Sequence, residues 1–347
     1  MASRLRAGLR GLTTVLLALA VTAIGVRTYL QSNPIPLFGV PPGPPLVVYI
    51  QPGTGVQEIA QQLKDEGVIR SRRAFLALAY IKGSMRRLHA GEYEFTRNMS
   101  LFEVLNKLES GRVVTHQVTI PEGFTVQEIA RLLAGERLVD ADRFVALAED
   151  PQVAARLGVH ASGLEGYLFP DTYRLTRGMG EEEILRTMVA RLRQKLPADY
   201  SARAARLGLD LHGAITLASL IEKEVILDRE RPVVAAVFYN RLRRQMPLQS
   251  DPTAVYGLPD FRRRIRHEDL RRPSPYNTYL NPGLPPGPIA NPGLASLLAA
   301  VNPAPVSYLY FVSKNDGTHA FSRTLEEHSD AVRRYQVRGE TSDDQGS

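Results

Sequence analysis

"YIQPGTGVQEIAQQLKDEGVIRSRRAFLALA" (residues 49–79) recurs further along the chain as "TIPEGFTVQEIARLLAGERLVDADRFVALAE" (119–149). Both copies carry VQEIA, at 56–60 and 126–130, then an apolar stripe at helical spacing, a turn and an F-x-A-L-A stretch. Runs with strand character precede them, LVVYI (46–50) and HQVTI (116–120). Thr54 and Thr125 read as helix N-caps, with Gln57 and Glu128 three residues on to complete a capping box. Each copy therefore predicts a strand, a glycine-containing turn and a helix. Between them, "LHAGEYEFTRNMSLFEVLNKLESGRV" (88–113) predicts a strand, a turn and an amphipathic helix ending at Gly111. Two copies are too few for a solenoid, so the repeat reads as a small packing or glycan-binding module.

The 347 residues have room for two domains of ordinary size. The hydrophobic fraction of 44% is that of a globular protein and too low for a polytopic membrane protein. The absence of Cys removes disulfides, Cys-ligated zinc and thiol catalysis. The seven His form neither HxxxH nor HExxH, and His319 and His328, nine apart, are weak metal spacing, so no metal or cofactor is expected. The net charge of +7 is spread along the chain, with one cluster in "FRRRIRHEDLRRP" (261–273). No nucleic-acid-binding module or stacking aromatics accompany it, and a solvated arginine-rich face is the expectation.

Arg4, Arg6 and Arg10 precede an uncharged run from Gly11 to Val26, and Thr28–Leu30 extend its apolar character beyond Arg27. This predicts a membrane anchor over 11–30, with residues 1–10 cytoplasmic and the body of the chain outside the cytoplasm. A cleaved signal peptide is the alternative, for which "VTAIGVRTYLQS" is a poor cleavage site. Either reading argues against ATP- or NAD-dependent chemistry. The Pro-rich stretch "NPIPLFGVPPGPP" (33–45) predicts a stiff spacer within a linker over 31–45.

In the second half, "EEEILRTMVARLRQKLP" (181–197) predicts a long helix burying Ile184, Met188, Leu192 and Leu196, followed by a short helix in "ADYSARAARLGL". A helix over 213–226 then places Ile215, Ala218, Ser219, Glu222, Val225 and Ile226 on one face. Glu222 in that apolar stripe needs an explanation, because an unpaired buried carboxylate costs several kcal/mol. One reading is an ion pair with an arginine from elsewhere, such as Arg241. The other is a general acid tuned by desolvation, as glycosidic cleavage requires. Small Ala218 and Ser219 leave room beside the carboxylate. Glu224 points about 200° away from Glu222 on the helix, and Arg229 and Arg231 read as a solvated helix end. Downstream, "VFYNRLRRQMPLQSDPTAVYGL" (237–258) supplies Asn240, Gln249, Ser250, Asp251 and Tyr256. "SPYNTYLNPGLPPGPIANPG" (274–293) is a constrained loop with Tyr276, Asn277 and Tyr279, suited to stacking on and hydrogen bonding with sugar rings.

"LEGYLFPDTY", "ASLIEKEV", "VFYNRL…LQSDPTAVYG", "YNTYLNPGLPPGPIANPG" and "YLYFVSKNDGTHAFSRTLEEH", in that order over residues 46–337, resemble the endolytic murein transglycosylases, the YceG-like or MltG family. The resemblance implies an α+β fold with a single N-terminal transmembrane anchor. A LysM-like β-α module (46–155) and an α+β catalytic domain (156–337) would follow; the polar composition of the tail at 338–347 separately predicts disorder. The resemblance implies a lyase that cuts the β-1,4 bond between N-acetylmuramic acid and N-acetylglucosamine inside nascent glycan strands, leaving 1,6-anhydro ends and terminating elongation. It puts the catalytic glutamate at Glu222. Asn240, Gln249, Asp251, Tyr276, Asn277 and Glu165 are the expected substrate-binding residues. Partners implied are peptidoglycan, the inner membrane and glycan polymerase or transpeptidase complexes. A lyase needs only one carboxylate, which protonates the leaving oxygen and then accepts the proton of the substrate's own C6 hydroxyl. A hydrolase would need a second, for which Asp251, Glu165 and Glu224 are candidates. A muramidase and a non-enzymatic glycan-binding scaffold are the competing readings.

Overall fold

The computed structural model describes residues 44–96, 99–258 and 265–337, with Thr22 alone before them. Apart from Thr22, the anchor expected over 11–30 lies outside the described residues, as do most of the linker, Arg262–Arg264 and the tail at 338–347. The described chain is a mixture of helices and short strands paired in two-stranded sheets, an α+β protein. It divides into two compact units, residues 1–116 with 174–179, and residues 117–173 with 180–347. The second unit thus begins at Gln117 and takes in the second repeat copy, where the sequence suggested a boundary after 155.

In the first unit, β1 (Leu46–Ile50) pairs antiparallel with β2 (Gly91–Phe95), from Leu46 opposite Phe95 to Ile50 opposite Gly91. The two-residue strand period turns Val48, Ile50, Tyr93 and Phe95 to one buried face. Helices α1 (Val56–Asp65), α2 (Arg72–Ile81) and α3 (Leu101–Ser110) cover that face with Ile59, Leu63, Phe75, Val104, Leu105 and Leu108. Each such side chain contributes about 1.5–3 kcal/mol on burial, which is what holds so small a sheet together. The other sheet face buries Glu92, ion-paired to Arg177 at 2.9 Å and in hydrogen-bond contact with His116 Nε2 at 2.5 Å. Gly111 caps α3 in the left-handed conformation, as expected of a terminal glycine.

The repeat begins its helices differently in its two copies. Thr125 caps α4 (Val126–Gly135): its hydroxyl accepts from Glu128 N, while the Glu128 carboxylate accepts from Thr125 N at 2.9 Å. The N-cap of α1 is Gly55, and Glu58 reaches back to its amide at 3.3 Å. The capping position is the residue directly before VQEIA, and Thr54 stands one residue too early.

The second unit continues with α5 (Ala141–Ala148) and α6 (Pro151–Arg156). β3 (His116–Thr119) and β4 (Thr172–Leu175) form a second two-stranded sheet. Helix α7 (Glu181–Lys195) buries Ile184, Met188 and Leu192 as its spacing predicted, while Leu196, expected in the same stripe, falls on the extended C-cap and is half-buried; α8 (Tyr200–Arg206) follows. At the centre of this unit lies α9 (Leu211–Glu224), buried without interruption from Ala214 to Ile221. It is packed by α10 (Arg231–Arg243) and α12 (Leu294–Val301). The short α11 (Asp251–Val255) precedes the Pro-rich loop, and the hairpin β5 (Tyr310–Ser313)–β6 (His319–Ser322) and α13 (Leu325–Val332) follow it. Helix α9 stops at Glu224 because Val225 is extended, so Ile226 leaves the apolar stripe expected for it and is 76% exposed.

Candidate active site

Asp210 caps α9, accepting from Gly213 N at 2.7 Å, and the helix runs through the core until its last turn. That turn carries both glutamates of the EKE run. The space beside small Ala218 and Ser219 is filled by the Pro-rich loop, whose Ile289 N donates to Ser219 Oγ at 3.0 Å.

Glu222 is enclosed. Its Oε2 lies 3.3 Å from the Arg231 guanidinium, and the two side chains are 7% and 6% exposed. The same oxygen accepts from Gly293 N at 3.0 Å, at the N-terminal end of α12, where the helix dipole favours a negative charge. Arg231 also donates to Ser296 Oγ and to Asp228 Oδ1, the latter at 3.0 Å. Arginine pairing was one of the two readings of Glu222, but the partner is Arg231 and not Arg241. Arg231 is itself buried where a solvated helix end was expected. Glu122, from the turn of the second repeat copy, adds a further carboxylate. Burial and then the charge of Glu222 raise its pKa, against the lowering effect of Arg231.

Glu224 projects elsewhere, into a cleft of about 390 Å³ lined also by Arg241, Gln249, Asp251, Tyr279, His319 and His328. Burial pushes the Glu224 carboxyl up to about 7, and the nearby charge of Asp251 adds to this. The Ser250 hydroxyl, donating at 2.5 Å, and the guanidinium of Arg241 act in the opposite sense. Tyr279 donates its hydroxyl to Asp251. Arg241 is held in the wall by carbonyls, with Leu309 O at 2.7 Å and Leu248 O at 2.9 Å, and by Gln249 Oε1 at 3.2 Å. A carboxyl whose pKa is raised by burial at the wall of a cleft is equipped both to give and to take a proton.

Of the six expected substrate-binding residues, only Gln249 and Asp251 reach this cleft. Glu165 and Tyr276 line a separate cavity of about 200 Å³ with Tyr256 and His212. There Glu165 accepts from Val126 N and Tyr256 OH, each at 3.2 Å, and from Asn291 Nδ2 at 2.8 Å. Burial pushes its carboxyl up to about 8. Asn240 donates to Val306 O at 2.9 Å and Tyr308 O at 2.8 Å, tying α10 to the approach to β5. Asn277 is fully buried; its amide donates to Leu270 O and Arg272 O and accepts from Tyr279 N, so it pins the Pro-rich loop from inside. A side chain so enclosed has no face for a sugar, which removes it from the expected binding set.

Sequence reasoning weighed Glu224 only as a second carboxyl. The missed signal was its place as the last residue of the helix, where the chain turns and the side chain meets a cleft. Arg231, Glu122 and the cleft role of His319 were missed as well, because each depends on contacts across the fold, whereas Tyr279, singled out in the Pro-rich loop, does line the cleft.

Residues 48–334 match the model of the YceG-like family, and the chain belongs to that family. It is similar to the endolytic murein transglycosylase of Bacillus subtilis, with 35% identity over 304 residues covering 83% of this chain and 84% of that protein. The endolytic murein transglycosylase of Streptococcus pneumoniae D39 is 32% identical over 315 residues, covering 82% of this chain and 57% of that longer protein. Among solved structures, a YceG-like protein from Listeria monocytogenes aligns with a TM-score of 0.57 and 33% identity, over 82% of this chain and 98% of that one.

Proposed function

We propose that this chain is an endolytic peptidoglycan transglycosylase, a lyase, with Glu224 in place of Glu222 as its general acid. Family membership and the relatives' names support the reaction. The observation that carries the site is the position of Glu224 at the wall of the cleft of about 390 Å³, where Ser250 donates to its carboxyl at 2.5 Å and burial raises its pKa. Protonated Glu224 gives its proton to the glycosidic oxygen as the bond from C1 of N-acetylmuramic acid breaks. The oxocarbenium-like centre is closed by the substrate's own C6 hydroxyl, giving a 1,6-anhydro end without water or a protein nucleophile. Gln249 is placed to hydrogen-bond the sugar, and Glu222 holds α9, α10 and α12 together through Arg231 and Gly293.

On this reading the chain cuts nascent glycan strands and terminates their elongation. Residues 11–30 anchor it in the cytoplasmic membrane, with the enzyme on the outer side and within reach of glycan polymerases and transpeptidases. The first unit serves as a LysM-like module. One observation favours a second reading, a muramidase: Asp251 lies in the same cleft as Glu224 and could direct a water.

The test is a digest of uncrosslinked glycan strands by the full-length chain, with the new ends weighed by mass spectrometry. Anhydro ends that vanish in Glu224→Gln and persist in a folded Glu222→Gln are expected. Hydrated ends, heavier by one water, would establish the muramidase. Loss of cleavage in a folded Glu222→Gln with retention in Glu224→Gln would return the role to Glu222.

A further inference from the structure

The cleft that holds Glu224 contains a second group with the geometry of a proton carrier. His319, on β6, lines it, and its Nδ1 donates to Glu230 Oε2 at 2.7 Å. Glu230 is clamped in turn: its Oε1 accepts from His319 N at 3.3 Å. The two side chains are only 10% and 11% exposed, so the contact is shielded from water. Phe311 meets the imidazole edge-on, with ring centroids 5.5 Å apart, and Phe321 packs at 6.2 Å. A carboxylate on one ring nitrogen sets the tautomer, putting the hydrogen on Nδ1 and the lone pair on Nε2. Among the described residues no protein group bonds Nε2. The charged and titratable groups that share the cleft are Glu224, Asp251, Arg241, Tyr279 and His328.

We propose that His319, oriented by Glu230, is the base that takes the proton of the substrate's C6 hydroxyl. This rests on the transglycosylase reading above. The Glu224 proton passes to the leaving oxygen and the electron pair of the C1–O bond goes with that oxygen. The C6 oxygen bonds to C1 and its proton moves to His319 Nε2, giving an imidazolium whose charge Glu230 balances. Transfer of that proton to the Glu224 carboxylate restores both groups, so no proton is gained or lost over the cycle. The division of labour removes a demand on Glu224, which otherwise must serve both the leaving and the entering oxygen. Glu230 is a positioning residue, acting only through the imidazole.

The experiment compares the full-length wild type with His319→Gln, His319→Ala, Glu230→Gln and Glu224→Gln on uncrosslinked glycan strands, with Tm measured for each. His319→Gln is expected to lower kcat about 100-fold or more with little change in KM. Added imidazole is expected to restore part of the activity of His319→Ala and none of that of Glu224→Gln. Glu230→Gln is expected to lower kcat by less than His319→Gln. A folded His319→Gln that keeps its kcat, or loses activity only through KM, would overturn the proposal. So would His319 variants that all fail to fold, since the residue would then be structural, or an absence of imidazole rescue. A wild type that makes no anhydro ends would overturn the underlying reading, an outcome distinct from active His319 variants.

Discussion

Glu222 and Arg231 meet at 3.3 Å inside the protein, and Glu224, two residues on, faces a cleft instead. One short helical run thus supplies a structural charge and a titrating acid. Breaking a buried ion pair by removing one partner leaves an uncompensated charge, at a cost of about 3–5 kcal/mol. Glu222→Gln is therefore expected to lower stability by that order in denaturant unfolding. The double replacement Glu222→Gln with Arg231→Met is expected to recover part of the loss.

Glu224→Gln is expected to abolish cleavage yet stabilise the fold at alkaline pH. The folded-state carboxyl is raised from 4.5 to about 7, so the folded chain holds this proton where the unfolded chain has released it. Stability from this group is complete below about 4.5, declines as pH rises, and is lost above about 7. A rise of that size corresponds to ~3 kcal/mol. The gap between Glu224→Gln and wild type in urea midpoint should open between pH 5 and pH 8 in favour of the variant. Cleavage by wild type should fall over the same upper range, as the acid form is lost.

Gly166 has φ +85°, and a Cβ there would stand 2.4 Å from the Pro288 ring. Neither the left-handed backbone nor a proline ring can yield. Gly166→Ala is expected to cost more than ~2 kcal/mol, read as a lowered urea midpoint. Gly293→Ala would meet the Glu122 carboxylate, the far end of a flexible side chain, and is expected to cost less.

Thr125→Ala removes the hydroxyl that accepts from Glu128 N at 3.2 Å. The expected loss is about 1 kcal/mol, measured by thermal or urea unfolding. Thr54→Ala is expected to change little, since Gly55 holds the corresponding position.

Local patterns were readable in the sequence because they depend on neighbours a few residues away. The strands at 46–50 and 91–95, the Thr125 cap and the core face of α7 follow from period and capping chemistry. The place of Glu222 in an apolar stripe was equally legible, and so was the chance of an arginine partner. Which arginine it would be was not, because Arg231 sits beyond a chain turn and Gly293 some seventy residues on. The same holds for the cleft. Glu224, Gln249, Asp251, Tyr279 and His319 come from four stretches of chain that only tertiary packing brings together. Asn277 looked like a sugar ligand because asparagine in a rigid loop serves either purpose, and only its burial tells them apart.

The first unit is not a single stretch of gene. Residues 174–179 belong to it, and among them Arg177 pairs with Glu92 while Gly178 passes close to the Tyr49 ring. A ribosome that has released residue 116 has therefore not yet supplied all the parts of that unit. Its last polar clasp waits until the β4 region has been synthesised, so vectorial translation leaves Glu92 without Arg177 for that interval. A gene fusion or truncation cut after residue 116 would inherit the same deficit permanently, whereas one that carries the chain through residue 179 would not.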